Sequence, residues 1–420
     1  MRIVYAVQNV GGIDFDQDVG DTVPVKYTIR GLQEAGHVVD CLKLEGRSVI
    51  GIKDVFNPEN FWNAPLGFSK TRIFLLLESG IRRLQRELHI PYYAFFDLFR
   101  FYEASTRTLS HYDLCHEHNG LFCAGAALAC WQQNIPYILT FSADPFFERN
   151  LVGKPLRGLH SMVAKSEARW AFKIAKKIIC VSTAAKRQLI DTWQIDPEKI
   201  VVMPNGVDTT LFHPGYDPRS VRAELCLDGE PTVGFVGGFQ PWHGLELLIE
   251  SFARVIREIP TAKLLLIGDG RARTSVDQKI NDLGVQDSVI VTGMVPQSRV
   301  PEFLSVTDLA VLPYPKLPQE LWFSPLKLYE YMAAGKAIVA SKAGQISEVI
   351  QHGYTGFLVE PGDIDSLANA LIALLKDPQR RQRLGDNARR QAVEKHSWDQ
   401  YIARLEAIYL NALQPSRDVK

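Results

Sequence analysis

Short apolar runs alternate with helix-like segments along almost the whole chain, and this alternation limits the fold more than any other feature. Residues 2–7 (RIVYAV) and 232–238 (TVGFVGG) are typical runs. Such runs suit parallel strands buried on both faces, and the segments between them suit crossover helices. The pattern predicts an α/β protein with doubly wound parallel sheets. Two sets of runs flank the Pro- and Gly-containing segment 212–220, so we expect two Rossmann-like domains.

We expect the first domain to span residues 1–211, the second 212–396, and a C-terminal helix in 397–420 to pack back toward the first. Ligands of such sheets bind beyond the carboxyl ends of the strands, so two facing domains predict an interdomain cleft. Residues 45–110 break the alternation, and their aromatic and arginine-rich sequence predicts a largely helical insertion. This insertion suits an acceptor site or a membrane-surface patch, although ordinary core packing with a solvated face is the simpler explanation.

Composition narrows the class of protein. The 420 residues include 47 basic and 47 acidic side chains, which argues against a general nucleic-acid binder. Six cysteines without CxxC spacing predict buried thiols in a reducing cytoplasm. The strand-like start leaves no room for a signal peptide, and no apolar run approaches the roughly 20 residues of a membrane span. We expect a cytoplasmic protein, with peripheral contact at the inner face of the membrane left open.

The segment FSPLKLYEYMAAG (323–335) predicts a short helix with a charged start. Ser324 suits the N-cap and Pro325 the first helical position, and Gly335 suits the residue past the end. Lys327 then lies in the first turn, where the helix dipole disfavours a cation unless an anion such as a phosphate binds there. Glu330 lies one turn further along the same side and can accept hydrogen bonds from hydroxyls. An ordinary surface Lys–Glu pair is the alternative.

Glycines follow several strands at positions where backbone can approach a phosphate. Gly237 and Gly238 follow one strand and Gly268 the next, while Gly11 and Gly12 follow the first strand of the chain. The IGDG turn lacks the third glycine of a dinucleotide fingerprint, so each turn is weak evidence alone.

Two further motifs admit a metal or a catalytic role and favour neither strongly. The acidic spacing of residues 14–18 fails the calcium-loop pattern, and HEHNG is not HExxH, so no metal site is expected. On a strand, His116 and His118 point to one face and Glu117 to the other. One histidine at a strand end suits contact with a sugar, although strand histidines are more often structural.

Together these motifs resemble those of family 4 retaining glycosyltransferases, whose fold is the two-domain GT-B arrangement. The resemblance covers nearly the whole chain and is strongest over residues 177–375. The matching stretches, in family order, are IICVSTAAKRQLI, VVMPNGVDTTLFHP, VGFVGGFQPWHGLELLIESF, LLLIGDG, VTGMVP, DLAVLPY, SPLKLYEYMAAGKAIVAS and GQISEVIQHGYTGFLVEPGD.

The resemblance implies a role for each candidate residue. Glu330 matches the second glutamate of the E-x7-E motif, which holds the donor ribose, and His118 matches a histidine that contacts the donor sugar. Met294 and Val295 match the strand end whose backbone contacts the nucleobase. The remaining implied donor-binding positions are Gly11, Gly12, Gly237, Gly238, Gly268, Ser324, Pro325 and Leu326, with Lys327 beside the diphosphate.

The chain departs from the family pattern at four positions, one of which is Ser142, where a histidine is usual. The first glutamate of E-x7-E falls on Trp322, and the usual arginine and lysine fall on Gly238 and His243. A diphosphate that leaves without cations loses several kcal/mol of transition-state stabilisation. We therefore expect a protonated His243, Lys327 and neighbours such as Arg271 to supply the missing charge.

The resemblance implies transfer of a sugar, with retention, from a nucleoside diphosphate sugar to an acceptor hydroxyl. UDP- or GDP-linked donors are expected, without metal or other cofactor, and the acceptor is a carbohydrate, a lipid-linked molecule or a small molecule. Glycan, glycolipid or exopolysaccharide synthesis is the implied setting. The alternatives are a non-catalytic sugar-nucleotide-binding protein, another GT-B enzyme such as an epimerase, and a NAD-dependent oxidoreductase.

Overall fold

The protein divides into two compact units, residues 1–204 with 401–420 and residues 205–400. The division at 204/205 precedes the predicted boundary at 211/212. The structure is a computed structural model, and it describes residues 1–8, 14–15, 20, 22–88, 95–151, 153–317 and 320–414. Within this described part, no helix is both long and apolar enough to cross a bilayer.

The first unit is built on a mixed sheet with helices between its strands. Among its described residues, the strands are β1 (Arg2–Val7), β2 (Val38–Glu45), β3 (Ser48–Ile52), β4 (Phe61–Asn63), β5 (Leu114–His118), β6 (Tyr137–Phe141), β7 (Lys177–Cys180) and β8 (Ile200–Val202). The helices are α1 (Thr22–Glu34), α2 (Arg72–Glu87), α3 (Phe95–Thr108), α4 (Gly125–Gln133), α5 (Pro145–Leu151), α6 (Gly158–Ile174) and α7 (Thr183–Asp191). The strand order is β4-β3-β2-β1-β5-β6-β7-β8.

The predicted helical insertion is only partly helical. Its first third forms β3 and β4, which extend the sheet edge by antiparallel pairing on β2. The prediction of helix was wrong there. Residues 48–52 (SVIGI) follow a tight turn and pair with the preceding strand, so they form a strand and not a helix. The rest of the insertion forms α2 and α3.

A buried ionic network joins α2 to α3. The Arg100 guanidinium lies 2.9 Å from the Glu78 carboxylate and 3.0 Å from that of Asp97, and the Arg100 and Glu78 side chains have no exposed surface. Arg82 also contacts both acids. Since buried charges need partners, this network fixes which side of α2 faces the unit.

The second unit is a doubly wound sheet whose strands are all parallel. Its described strands are β9 (Thr232–Val236), β10 (Lys263–Ile267), β11 (Val289–Gly293), β12 (Leu309–Leu312), β13 (Ala337–Ser341) and β14 (Phe357–Val359), in the order β11-β10-β9-β12-β13-β14. The helices are α8 (Arg219–Glu224), α9 (Leu245–Glu258), α10 (Arg273–Leu283), α11 (Val300–Ser305), α12 (Leu326–Ala333), α13 (Ile346–Val349), α14 (Ile364–Leu375), α15 (Pro378–Lys395) and α16 (Trp398–Leu413), of which α16 contributes Tyr401 onward to the first unit. Strand order reverses beside β9, where ligands of such sheets bind.

Both faces of this sheet are covered, as the apolar runs require. In β10, Leu264 and Leu266 belong to one core cluster, and Leu265 and Ile267 belong to the other. This is the period of two expected for a strand with helices on both sides. In the first unit, the C-terminal helix adds Ile402, Leu405 and Tyr409 to the core.

The cysteine prediction needs one correction. Cys41, Cys115, Cys123, Cys130 and Cys180 are buried free thiols. Cys226 is a free thiol too, but it is exposed. It lies in a turn after α8 with φ +54°, and that turn places it outside the core.

Replacement of Glu78 by Ala is expected to lower the free energy of unfolding by about 3–5 kcal/mol, since it leaves the Arg100 charge buried without that carboxylate. Glu87→Ala is the matched control on the same helix. Its exposed ion pair with Arg83 contributes about 0–1 kcal/mol. Urea denaturation followed by circular dichroism measures both changes, and equal losses would show that the network is not energetically important.

Candidate functional site

The segment that precedes α12 does not form the predicted cap. The helix begins at Leu326, Pro325 occupies the N-cap position, and no side chain caps the helix. The Ser324 hydroxyl instead accepts a hydrogen bond from the Asn205 N–H (3.1 Å) and donates one to the Tyr329 hydroxyl (3.2 Å). The N-cap prediction for Ser324 was wrong because these tertiary hydrogen bonds occupy its side chain.

The other end of α12 has the predicted glycine. Gly335 has φ +65°, and its N–H donates to the Met332 carbonyl while the Lys336 N–H donates to the Tyr331 carbonyl. These are the two hydrogen bonds of a Schellman motif, which requires a left-handed residue at this place.

Lys327 places a buried ammonium beside the strand ends. Its Nζ lies 4.1 Å from the centre of the Phe235 ring on β9 and has no hydrogen-bond partner among the described residues. Burial lowers the pKa of Lys327 to about 7, and the nearby Glu330 carboxylate opposes this shift. A lysine held in this way can gain a full charge when an anion arrives.

Two glycine turns adjoin this ammonium. A Cβ at Gly237 would lie 2.8 Å from the Lys327 Nζ, and a Cβ at Gly268 would lie 2.2 Å from the Gly237 carbonyl oxygen. Gly237 and Gly268 have φ of +129° and +137°, which favour glycine. The turns are also joined by a hydrogen bond from the Phe239 N–H to the Asp269 carbonyl (2.8 Å). Bare backbone is therefore required at both strand ends.

His243 lies in the loop that follows these glycines. Its Nδ1 is 2.6 Å from the Gly238 carbonyl oxygen, so Nδ1 carries the proton and Nε2 is left as an acceptor. Burial and the Lys327 charge lower the pKa of His243 to about 3. His243 is therefore neutral without ligand, since burial and a second cation beside Lys327 both disfavour its charge, and its protonation beside a bound diphosphate stays a prediction.

Glu330 lies one helical turn beyond Lys327. Burial raises the pKa of Glu330 to about 7, while the Lys327 charge and a hydrogen bond from Gln297 act in the opposite direction. Gln297 follows the end of β11, where Met294 is 71% exposed and Val295 is partly buried. The structure thus brings the Glu330 carboxylate close to the strand end that was predicted to contact a nucleobase.

The predicted site residues of the first unit are His118, Gly11 and Gly12. His118 is buried at the end of β5, with its Nε2 3.3 Å from the Ser142 hydroxyl. His116 bonds to the Tyr409 hydroxyl (2.5 Å) and to the Thr140 hydroxyl (2.6 Å), as a structural histidine does. Gly11 and Gly12 lie outside the described residues.

Sequence reasoning missed three participants. Phe235 forms the apolar support under Lys327, and Gln297 contacts Glu330. The Tyr314 hydroxyl is buried without a hydrogen-bond partner in the described part of the chain, and its ring lies 5.7 Å from that of His243. Tyr314 and Gln297 both follow strands of the second sheet, and that position was a usable signal.

Solved structures similar to this chain share the GT-B fold. Sucrose-phosphate synthase from Thermosynechococcus elongatus superposes with a TM-score of 0.72, at 20% identity over 98% of this chain and 99% of that one. HepE from Anabaena, solved with UDP, gives a TM-score of 0.70 at 19% identity over 98% and 100%. The fold expectation is confirmed: two α/β domains of the GT-B class.

Family models identify the chain more closely. Residues 219–391 match Glycosyl transferases group 1, and residues 23–211 match Glycosyltransferase Family 4. The chain belongs to this glycosyltransferase family.

Individual relatives match in part. The chain is 32% identical to N-acetyl-alpha-D-glucosaminyl L-malate synthase of Bacillus anthracis over 57% of this chain and 62% of that protein. It is 29% identical to alpha-maltose-1-phosphate synthase of Mycolicibacterium smegmatis over 70% and 78%. The alignment with D-inositol 3-phosphate glycosyltransferase of Acidothermus cellulolyticus covers 55% of that protein. For this relative and for the malate synthase, the chain therefore spans less than two thirds of the relative's length.

Replacement of Lys327 by Met is expected to stabilise the protein most at low pH. The folded-state pKa of about 7 lies below the ordinary value of 10.5, so the cost of the buried ammonium is complete below pH 7 and disappears toward pH 10.5. The gain should therefore fall by about 1 kcal/mol per pH unit between pH 7 and 10.

Thermal unfolding at pH 6 and pH 9 measures this gain. Lys376→Met is the matched control, because it removes an exposed ion pair with Glu258 (3.1 Å) and should change stability by no more than about 1 kcal/mol at either pH. A gain for Lys327→Met that does not change with pH would contradict the interpretation.

Proposed function

We propose that the protein is a glycosyltransferase that moves a sugar from a nucleoside diphosphate sugar to an acceptor hydroxyl, in glycan, glycolipid or exopolysaccharide synthesis. The observation on which this rests most is the buried Lys327 ammonium, which lies beside two glycine turns and has no hydrogen-bond partner within the described residues. Membership of the glycosyltransferase family supports the same assignment.

A diphosphate suits the surroundings of Lys327. An anion restores the full charge of a lysine whose pKa is depressed by burial, and the close backbone at Gly237 admits phosphate oxygens that a side chain would exclude. The start of α12 adds backbone N–H groups that no side chain caps. These three features act on the same negative charge.

Glu330 and the end of β11 suit the nucleoside. An ionised carboxylate accepts hydrogen bonds from two ribose hydroxyls, and such bonds lower the carboxyl pKa from its raised value of about 7. We assign contact with the base to the backbone of Met294 and Val295, as the resemblance implies. UDP is the favoured nucleotide, since HepE was solved with UDP and with UDP-glucose.

His243 has a different role from the one expected at first. As a neutral imidazole with Nδ1–H bound to the Gly238 carbonyl, it presents Nε2 as an acceptor. This atom suits a sugar or acceptor hydroxyl better than a phosphate. The cationic role then falls to Lys327, and His118 in the first unit remains the proposed contact to the donor sugar.

We propose a retaining reaction without a metal, as the resemblance to family 4 implies. The leaving phosphate takes the proton of the acceptor hydroxyl as the new glycosidic bond forms on the same face of the sugar. Lys327 stabilises the charge that develops on that phosphate, and this stabilisation is greatest where water is excluded. The protein supplies position and charge rather than a nucleophile.

A donor and acceptor screen tests the function. Wild-type protein with UDP- and GDP-sugars and a panel of carbohydrate and lipid-linked acceptors should yield a glycoside with the anomeric configuration of the donor, by nuclear magnetic resonance, and EDTA should leave the rate unchanged. Lys327→Ala should lower kcat/KM at least about a hundredfold, which corresponds to the loss of about 3 kcal/mol of transition-state stabilisation.

Lys336→Ala is the control in this screen, because that partly buried lysine bonds to main-chain carbonyls and should change stability but not kcat/KM of the folded protein. Nucleotide binding without transfer to any acceptor would favour the non-catalytic alternative. Equal kcat/KM in both variants would reject the assignment of Lys327.

Proton exchange on UDP binding tests the two charged residues separately. At pH 8 Lys327 is mostly neutral and Glu330 ionised, so binding should take up a proton at Lys327. At pH 6 Lys327 is mostly charged and Glu330 neutral, so binding should release a proton from Glu330.

Calorimetric titration with UDP in buffers of different ionisation enthalpy measures both steps. Lys327→Met should abolish the uptake at pH 8, and Glu330→Gln should reduce the release at pH 6. Proton exchange that neither substitution changes would place UDP elsewhere.

A further inference from the structure

Helix α2 turns its apolar side chains outward. Only Phe74 and Glu78 are buried among its residues, whereas Leu76 is 73% and Ile73 is 65% exposed. The exposed apolar side chains of the helix and of the residue after it form one face: Ile73, Leu76, Leu77, Ile81, Leu84 and Leu88. A surface helix of a soluble domain normally has the opposite arrangement.

The ionic network keeps α2 in this orientation. Rotation that buried the apolar face would carry Glu78 into water and leave the Arg100 guanidinium inside without that partner. Because removal of one carboxylate from a buried ionic network is costly, the exposed face is a built feature of the fold and not a loosely packed helix.

Basic residues border the apolar face. At 100° per residue, Arg72 and Arg83 follow Leu76 around the helix and Arg86 lies beyond them. Residues 70–88 include five basic and two acidic side chains; of the acids, Glu78 is buried and Glu87 pairs with Arg83. Arg72 and Arg86 have no acidic partner within ion-pair distance in the described part of the chain.

An aromatic cavity of about 440 Å³ adjoins the same face. It shares Leu77 and Ile81 with the face. Its further lining residues, from α2, α3 and the turn before α2, are Phe68, Phe74, Gln85, Phe95, Phe96 and Phe99. Such a volume is large enough for a small apolar ligand or for part of a lipid acyl chain.

We propose that this face of α2 lies in the interface of a bilayer that contains anionic phospholipids. The leucines and isoleucines enter the acyl region, the arginines contact phosphate headgroups, and the aromatic cavity receives part of one acyl chain. An apolar arc bordered by arginines is the pattern of an interfacial helix. A second copy of the chain is a poorer occupant, since it would bring the same arginines together.

Vesicle co-sedimentation tests the proposal with the full chain and without donor or acceptor, so its result is independent of the proposed sugar transfer. Binding is expected to vesicles of phosphatidylcholine with phosphatidylglycerol, and it should weaken with salt and with removal of phosphatidylglycerol. Equal binding to pure phosphatidylcholine, or no binding to either, would overturn the proposal.

Matched variants assign the binding to α2. Leu76→Glu should weaken partition into the bilayer at least about tenfold, since it removes a leucine that would enter the acyl region and adds a negative charge. The control is Leu410→Glu, a 57% exposed leucine on α16, which should bind like wild type. The double variant Arg83→Gln, Arg86→Gln should bind vesicles about fivefold more weakly for each arginine removed. Its control is the double variant Arg383→Gln, Arg390→Gln on α15, which should bind like wild type.

Circular dichroism of each variant establishes that it is folded. Sedimentation velocity without lipid then tests whether a second copy of the chain covers this face instead of a bilayer. A wild-type dimer that Leu76→Glu dissociates, together with no vesicle binding, would replace the bilayer with a second copy. Equal effects of Leu76→Glu and Leu410→Glu on vesicle binding would place the contact elsewhere.

Discussion

A lysine ammonium at the ends of parallel strands has two stable states: it loses its proton, or it meets an anion. Lys327 is in this position, since its Nζ lies over the Phe235 ring and has no hydrogen-bond partner among the described residues. The depressed pKa of Lys327, the neutral state of His243 and the raised pKa of Glu330 all follow from the same burial. One anionic ligand would change all three, and this coupling is what relates the local packing to the proposed function.

The departures from the family pattern are consistent with this arrangement. Where the pattern has an arginine, this chain has Gly238, whose carbonyl holds the His243 ring. Where it has a first glutamate, the chain has Trp322, which is buried. A second and third cation beside Lys327 would destabilise the protein when no anionic ligand is bound. With a single buried ammonium, the chain needs fewer acidic groups to balance that charge. The site therefore distributes its charge differently from the family pattern and has not simply lost charged residues.

The sequence predicted the second unit well because its strands are buried on both faces. The run at residues 232–238 predicts a strand, and β9 spans Thr232–Val236, since Gly237 turns the chain out of the sheet. The start of α12 was missed because Asn205, distant in sequence, binds the Ser324 side chain. The neutral state of His243 without ligand could not be predicted for the same reason: its pKa depends on tertiary burial, which no local pattern encodes.

Helix α2 shows that a sequence pattern can predict an amphipathic helix without predicting which of its sides faces the core. Its sequence predicts one apolar and one basic side, and either side is free to face the unit. The direction is set by Arg100, since a buried guanidinium on α3 requires Glu78 on the inner side of α2. With Glu78 inside, the leucines must lie outside. A buried ionic network thus converts an ordinary amphipathic pattern into an exposed apolar surface, and that surface is intelligible only if something apolar covers it.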